Sequence, residues 1–173
     1  MDVVLLTIAD EFSDLPDVET FTRIVVRLLL AALLGALVGL ERELAGKPAG
    51  LRTHMLVALG AALFVLVPLQ AGIHLDDLTR VIQGLLAGVG FLCAGAILKG
   101  DTQDEVHGLT TAASLWMTSA IGMGVGLGRD TTALASTLLV LGILRLEGPL
   151  RRWIGERRRG RLVAKSDPED DRG

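Results

Sequence analysis

The chain has 173 residues, of which 50% are hydrophobic, with a mean hydropathy of +0.51 and a formal net charge of −3. Its apolar residues fall in blocks too long for the core of a soluble domain, which excludes a soluble globular protein. The single cysteine, Cys93, excludes an internal disulfide and a multi-cysteine metal site. The composition therefore predicts an integral membrane protein.

An acidic leader occupies residues 1–21. Its apolar run, residues 3–9, is too short to span a membrane, and Asp2 stands where a cleaved signal peptide would carry basic residues. We therefore expect no cleaved signal peptide, and a short interfacial helix is the candidate structure for this run.

Five apolar windows follow the leader, at residues 22–40, 52–69, 80–99, 108–128 and 131–148. A helix needs roughly 20 mainly apolar residues to cross about 30 Å of hydrocarbon, and each window approaches that length. The windows are continuously apolar, whereas a β-barrel would show strands of about ten residues with alternating polarity. We predict an all-α polytopic membrane domain over residues 22–148 with about five transmembrane helices.

The distribution of lysine and arginine predicts the orientation, because basic residues in short flanking loops face the cytoplasm. The basic tail that follows Arg145 places the C-terminus in the cytoplasm, and five spans then place the N-terminus outside. In this topology 13 of the 17 basic residues are cytoplasmic. Residues 149–173 are predicted to be a basic and then polar, partly disordered tail that rests on anionic lipid head groups. Basic residues there usually serve topology, so no nucleic-acid partner is expected.

A charged hinge separates the first two windows. It consists of Glu41, Arg42, Glu43, Arg52, Thr53 and His54, which we call the hinge cluster. In one interpretation Glu41 or Glu43 pairs with Arg52 and holds the two helix ends in register, against a desolvation cost. In the other, the cluster is a cytoplasmic polar pocket in which Glu41 binds a cation or proton and an arginine binds an anion. The sequence leaves both interpretations open.

Arg27 is a second charged residue within the first window. It lies about 21 Å from Glu41 along one helix, too far for an ion pair. Its candidate partners are Asp76, Asp77 and Asp130 in the loops on the same side.

A hydroxyl strip marks the fourth window. Thr110 and Ser114 are four residues apart and are predicted to share one helix face, with Thr111 beside them. These hydroxyls either join helices by hydrogen bonds or line a polar path, and the first role is favoured.

The acidic stretch ahead of this strip includes Glu105. Together with Glu41 it offers weak candidate oxygen ligands for Mg²⁺, and a solvated acidic loop is the favoured alternative. No nucleophile elbow, phosphate-binding loop or zinc spacing occurs in the sequence, so no enzyme activity is expected.

Glycines spaced four apart predict close helix packing. The pairs are Gly35 and Gly39, Gly84 and Gly88, Gly122 and Gly126, and Gly124 and Gly128. Their number makes a homodimer a candidate assembly. Cys93 is interpreted as a small packing residue within the third window.

Four blocks of the sequence resemble the MgtC/SapB membrane family. They are Arg27 with residues 39–43, residues 49–54, residues 88–98 and residues 108–116. The resemblance covers about residues 22–148 and implies a bacterial inner-membrane protein of magnesium homeostasis and low-magnesium growth, linked in pathogens to survival inside host cells. It also implies that some members inhibit the proton-translocating ATP synthase. The chain departs from the pattern at Cys93, where a glycine is usual, and we expect it to lack the soluble C-terminal domain of longer members.

Two functions are compatible with these features. A regulatory protein would use its small-residue helix faces to bind another membrane complex, such as ATP synthase or a magnesium transporter. A cation transporter or ion-binding protein would use Glu41 and the hydroxyl strip, with Glu105 as a further ligand. The small number of helices and the lack of an acidic residue near the middle of any window favour regulation.

Overall fold

The computed structural model describes residues 2–11, 17–99 and 106–146. These residues form six α-helices and one short antiparallel ladder. The helices are α1 Asp2–Glu11, α2 Val18–Leu44, α3 Leu51–Gln70, α4 Leu75–Ala96, α5 Leu109–Gly126 and α6 Asp130–Arg145; the two-residue strands are β1 Leu98–Lys99 and β2 Val106–His107. The predicted helical architecture is confirmed, and each of the five apolar windows corresponds to one of the helices α2 to α6.

The leader is helical where the structure describes it. The apolar side chains of α1 are exposed, from Val3 at 76% to Ile8 at 51%. Its position at a membrane interface stays a prediction, and residues 12–16 lie outside the described residues. Asp17 begins α2 as its N-cap, because its carboxylate accepts a hydrogen bond of 2.6 Å from the Thr20 backbone N–H.

A tight connection joins α2 to α3. The N–H groups of Ala45, Gly46 and Lys47 donate to carbonyls in the last turn of α2, so the helix end is satisfied by backbone alone. Gly46 has φ +68°, which reverses the chain without strain. Gly50 then precedes α3 and has no side chain with which to cap it. The two helices therefore turn back on each other at the hinge cluster.

Three helices form the centre of the bundle. α2, α3 and α5 pack against one another, α4 packs on α3 and α5, and α6 packs on α2 and α5. The closest approaches are at glycines: a Cβ added to Gly122 would lie 2.2 Å from the Ala58 carbonyl oxygen, and one added to Gly35 would lie 2.6 Å from the His54 carbonyl oxygen. These backbones touch with no room for a methyl group.

Three of the described helices are long and apolar enough to cross a membrane: Val18–Leu44, Leu51–Gln70 and Asp76–Ala96. α6 is shorter, with 16 residues. α5 has 18 residues, but five of them are serine or threonine, and most of its side chains face other helices instead of lipid. The chain is thus a helical membrane protein, while the count of five spans and their orientation stay predictions.

The structure differs from the predicted windows at one boundary. Residues 98–99, which the third window includes, leave the helix and form β1 instead. β1 pairs with β2 just before α5, where Gly108 at φ +92° turns the chain into the helix. The acidic loop between the strands, residues 100–105, and the tail from residue 147 lie outside the described residues.

Candidate functional site

A buried polar cluster lies where α2, α3 and α5 meet. We call it the polar junction, and it consists of Glu41, Arg42, His54, Thr111 and Ser114. Arg42 is 1% exposed and His54 is 0% exposed, and both hydroxyl residues are also buried. Burying such groups is costly unless they are paired, so their partners decide what the junction does.

Glu41 and Arg42 form a two-pronged ion pair at the end of α2. The Arg42 Nε donates to Glu41 Oε2 at 2.5 Å, and Nη2 donates to Oε1 at 2.8 Å. The Arg42 guanidinium is almost fully buried, whereas the Glu41 side chain is 13% exposed. A bidentate arginine–carboxylate pair is among the strongest polar contacts in proteins. Both oxygens of Glu41 are therefore engaged by its neighbour.

The predicted pairing of Glu41 or Glu43 with Arg52 is not what the structure contains. Arg52 is exposed, and Glu43 Oε2 instead accepts a hydrogen bond of 2.8 Å from the Leu51 backbone N–H. The first N–H groups of a helix have no partner within the helix and attract negative charge. Glu43 thus caps α3 from the end of α2, and it is this backbone bond that joins the two helix ends.

Arg52 and Thr53 lie on the surface of the hinge. With Glu43 and Lys47 they line a polar depression of about 460 Å³. The structure therefore divides the hinge cluster into an exposed part, around Arg52 and Thr53, and a buried part that belongs to the polar junction.

His54 connects α3 to α5 through its imidazole ring. Its Nδ1 lies 3.0 Å from the Gly50 carbonyl oxygen, one helical turn earlier, and its Nε2 lies 3.1 Å from Ser114 Oγ. Ser114 Oγ is in turn 2.8 Å from the Thr111 carbonyl oxygen. The side chain that the sequence placed at the edge of a charged hinge is thus a completely buried link between two helices.

The hydroxyl strip of α5 differs in phase from the predicted one. Thr111 is buried together with Ser114, while Thr110 is exposed. Positions i, i+3 and i+7 share a helix face, and Thr118 continues the face of Thr111 and Ser114. Sequence reasoning missed Thr118 and its neighbour Ser119, which are both 0% exposed. The spacing of Thr118 from Ser114 was the signal that could have found it.

Arg27 is bound at the opposite end of the bundle. Its Nη1 donates to the Gly126 carbonyl oxygen at 3.2 Å, and its guanidinium lies against Gly128. A cation at the C-terminus of a helix is favoured by the helix dipole. The partner of Arg27 is thus the end of α5 and not Asp76, Asp77 or Asp130, all of which are exposed.

Six of the eight predicted packing glycines fall into two groups. Gly35, Gly39, Gly122 and Gly126 each touch backbone or Cβ atoms of α3. A Cβ added to Gly84 or Gly88 would meet no atom within 4 Å. These two glycines of α4 therefore leave an open groove on the outside of the described bundle, lined also by Phe64 and Leu92.

The described residues do not provide a donor set for a Mg²⁺ centre. Among the described residues no group of three or more histidine, cysteine, aspartate or glutamate side chains is close enough to hold a metal. Glu41 is paired with Arg42. Glu105, the second candidate ligand, lies outside the described residues.

A helical bundle with long apolar helices and a buried polar junction at a helix hinge defines a polytopic membrane protein. The family model for the MgtC family matches residues 28–153, and the chain belongs to this family. This confirms the resemblance deduced from the four sequence blocks.

Several curated proteins are similar to the chain. SrpB of Synechococcus elongatus is 48% identical over 126 residues, which cover 66% of this chain and 69% of SrpB. MgtC of Salmonella typhimurium is 44% identical over 68% of this chain, and YhiD of Escherichia coli is 39% identical over 69% of it. The matches span 49% of MgtC and 58% of YhiD, so the chain corresponds to part of these relatives. No solved structure matches the chain.

Proposed function

We propose that the protein is a bacterial inner-membrane protein of magnesium homeostasis or low-magnesium adaptation, and that it acts by regulating another membrane complex. The relation to magnesium is supported by membership of the MgtC family and by YhiD, which is described as a proposed magnesium transporter. Regulation is supported by the state of the carboxylate that a transporter would need. Both carboxylate oxygens of Glu41 accept hydrogen bonds from Arg42. This observation carries the proposal.

Close packing in the middle of the bundle supports the same conclusion. Gly122 lies against the Ala58 carbonyl and Gly126 lies against the Ala62 carbonyl. Backbones in direct contact leave no water-sized passage between α3 and α5 at these positions. A transport route through the described helices would require α3 and α5 to move apart.

The proposed partner surface is the outer face of α4. Its open glycines, Gly84 and Gly88, would admit a helix of another protein, and ATP synthase or a magnesium transporter are the candidate complexes. A second copy of the chain would use the same face in a homodimer. Concentration-dependent assembly in mild detergent would support the dimer, whereas a monomer at every concentration would contradict it.

Reconstitution tests regulation against transport. The purified chain is placed in vesicles, and Mg²⁺ uptake is compared for the wild type, Glu41→Gln and the control Glu19→Gln, which alters an exposed ion pair at the other end of α2. Regulation predicts that all three equal empty vesicles. Regulation would be overturned if the wild type and Glu19→Gln took up more Mg²⁺ than empty vesicles and Glu41→Gln took up less than they do.

Copurification supplies the positive result. Native membranes are solubilised in mild detergent, and proteins retained by the tagged chain are compared with those retained by Gly88→Leu, which fills the open groove of α4. We expect a membrane complex with the wild type and its loss with the variant. Gly142→Leu, at a glycine of α6 that also has open space around it and does not line this groove, is the matched control.

A cation transporter is the alternative. Two buried hydroxyls, Thr118 Oγ1 and Ser119 Oγ, have no hydrogen-bond partner, and Thr118 extends the polar face of Thr111 and Ser114 toward the middle of α5. Oxygen atoms without partners are suited to a passing cation, and Glu41 would be its entry ligand. Uptake that is lost in Glu41→Gln and reduced in Thr118→Val would favour this function. In both cases the proposed topology has five spans with a cytoplasmic C-terminus, and no catalytic residues are assigned.

A further inference from the structure

Three short contacts surround the buried pair His54 and Ser114. Nδ1 of His54 faces the Gly50 carbonyl oxygen at 3.0 Å, Nε2 faces Ser114 Oγ at 3.1 Å, and Oγ faces the Thr111 carbonyl oxygen at 2.8 Å. Each contact needs one hydrogen between its two atoms to be a hydrogen bond. The two carbonyl oxygens can only accept, so the first contact is a hydrogen bond only when Nδ1 donates, and the last only when Oγ donates.

The number of hydrogens depends on the protonation of His54. A neutral imidazole and a serine hydroxyl together carry two, one on the ring and one on Oγ. With two hydrogens, Nδ1 donates to Gly50 and the hydroxyl must choose between Nε2 and the Thr111 carbonyl. An imidazolium carries a further hydrogen on Nε2. It then donates to Ser114 Oγ, the hydroxyl turns to Thr111, and all three contacts are hydrogen bonds.

We propose that the polar junction is a proton-binding site, in which one proton taken up by His54 reverses the hydrogen bond to Ser114 and completes a chain from Gly50 to Thr111. The chain runs from α3 into α5, so the proton strengthens the contact between these two helices. The proposal concerns only the polar junction and does not depend on the proposed function.

The charged and titratable groups that face His54 come from the helices packed against α3. From α2, the Glu41 carboxylate and the Arg42 guanidinium both act on the ring, and as a pair they cancel much of each other's field. α5 has no titratable side chain. The titratable group that α4 brings to this end of the bundle is Cys93, whose thiol donates to the Ala112 carbonyl instead. A protonated ring therefore depends on its hydrogen bonds to the Gly50 carbonyl and Ser114 Oγ.

Because the junction is buried, the number of hydrogens on His54 and Ser114 determines how many of its polar contacts are hydrogen bonds. His54 is 0% exposed and Ser114 is 3% exposed, so water cannot easily replace a missing hydrogen bond. When the hydroxyl of the neutral state donates to Nε2, the contact between Nε2 and Oγ is a hydrogen bond in both states, but its direction differs. The neutral state leaves the hydroxyl without a hydrogen for Thr111, whereas the protonated state uses every donor. The added proton therefore gains a hydrogen bond within α5 and makes the bond from His54 of α3 to Ser114 of α5 charge-assisted, so the strength of the contact between the two helices depends on pH.

Nitrogen NMR of the full chain, labelled with ¹⁵N-histidine and held in detergent micelles, tests the proposal. The His54 signals are assigned by their loss in His54→Gln, and the spectra are recorded through a pH titration. We expect a neutral ring with hydrogen on Nδ1 at alkaline pH and a ring with hydrogen on both nitrogens at acidic pH. In Ser114→Ala the second hydrogen should require a proton concentration about threefold to tenfold higher, because the protonated ring loses its acceptor.

Two further variants make the result specific. Ser114→Thr keeps the hydroxyl and should restore the wild-type titration, while His74→Gln, at an exposed histidine outside the junction, should leave it unchanged. If Ser114→Ala does not fold, Ser114→Cys, with a weaker acceptor, takes its place. A His54 ring that stays neutral throughout the range in which the wild type is folded would overturn the proposal. An unchanged titration in the folded Ser114 variant would also overturn it.

Discussion

Gly122 and Gly84 give opposite predictions for the same substitution. In Gly122→Ala the new Cβ would lie 2.2 Å from the Ala58 carbonyl oxygen and 2.8 Å from its Cα, so α3 and α5 must move apart. Overpacking of this kind costs about 1–3 kcal/mol, and the colliding atoms are backbone, which places the cost at the upper end. In Gly84→Ala the Cβ meets nothing within 4 Å, and alanine is favoured over glycine in a helix by about 1 kcal/mol.

The assay is reversible unfolding in mixed micelles, followed by far-ultraviolet circular dichroism at increasing denaturing-detergent fraction. We expect Gly122→Ala to lower the free energy of unfolding by about 2 kcal/mol after its own gain in helix propensity is subtracted. Gly84→Ala should equal or exceed the wild type. A Gly122→Ala variant as stable as the wild type would refute the close approach of α3 and α5, since no side chain at this contact could move aside.

Three further predictions concern helix ends. Arg27→Gln removes the guanidinium of α2 that binds the last turn of α5, so the free energy of unfolding should fall by about 1 kcal/mol. An unchanged unfolding midpoint would contradict this prediction. Glu43→Ala leaves the Leu51 N–H without its acceptor, and amide exchange in the first turn of α3 should quicken by about fivefold, reflecting a loss of about 1 kcal/mol; equal exchange rates would count against the cap. Hydrogen bonds from the backbone and side chain of Thr20 hold the pKa of Asp17 below its usual value. The cap therefore stabilises α2 fully at pH values above the unfolded-state pKa of Asp17. This stabilisation is lost as the pH falls through the lower folded-state pKa. Asp17→Asn keeps the cap without the titration, and exchange at Thr20 should then be insensitive to acid, whereas acid sensitivity equal to that of the wild type would contradict this.

The helices could be predicted from the sequence because apolar length is a local property. A run of roughly 20 apolar residues has few other stable conformations in a membrane, so every predicted window contains a helix. The leader run was also predicted to be helical, and α1 is the result. The short ladder before α5 could not be predicted, because two residues per strand give no periodic pattern.

The partners of the charged residues could not be predicted, because three of them are on the main chain. Arg27 donates to a carbonyl of α5, Glu43 accepts from the N–H of Leu51, and His54 faces the carbonyl of Gly50. A sequence shows side chains of opposite charge, but it does not show which backbone groups are left over at helix ends. The tight connection at Gly46 decides this by bringing the end of α2 beside the start of α3.

The composition of α5 follows from its place in the bundle. Five of its residues carry hydroxyl groups, and its polar face is covered by α2 and α3, where Ser114 bonds to His54 and Thr111 is buried. A helix with five hydroxyl residues gains less from lipid than α2 or α3 does, so its stable position depends on those neighbours. Gly122 and Gly126 bring its backbone against α3, and Arg27 of α2 holds its C-terminal end. The polar junction therefore lies at one end of α5, the helix that depends most on the rest of the bundle. A change in the hydrogen bonds of the junction acts where α5 is held by contacts with protein and not by lipid.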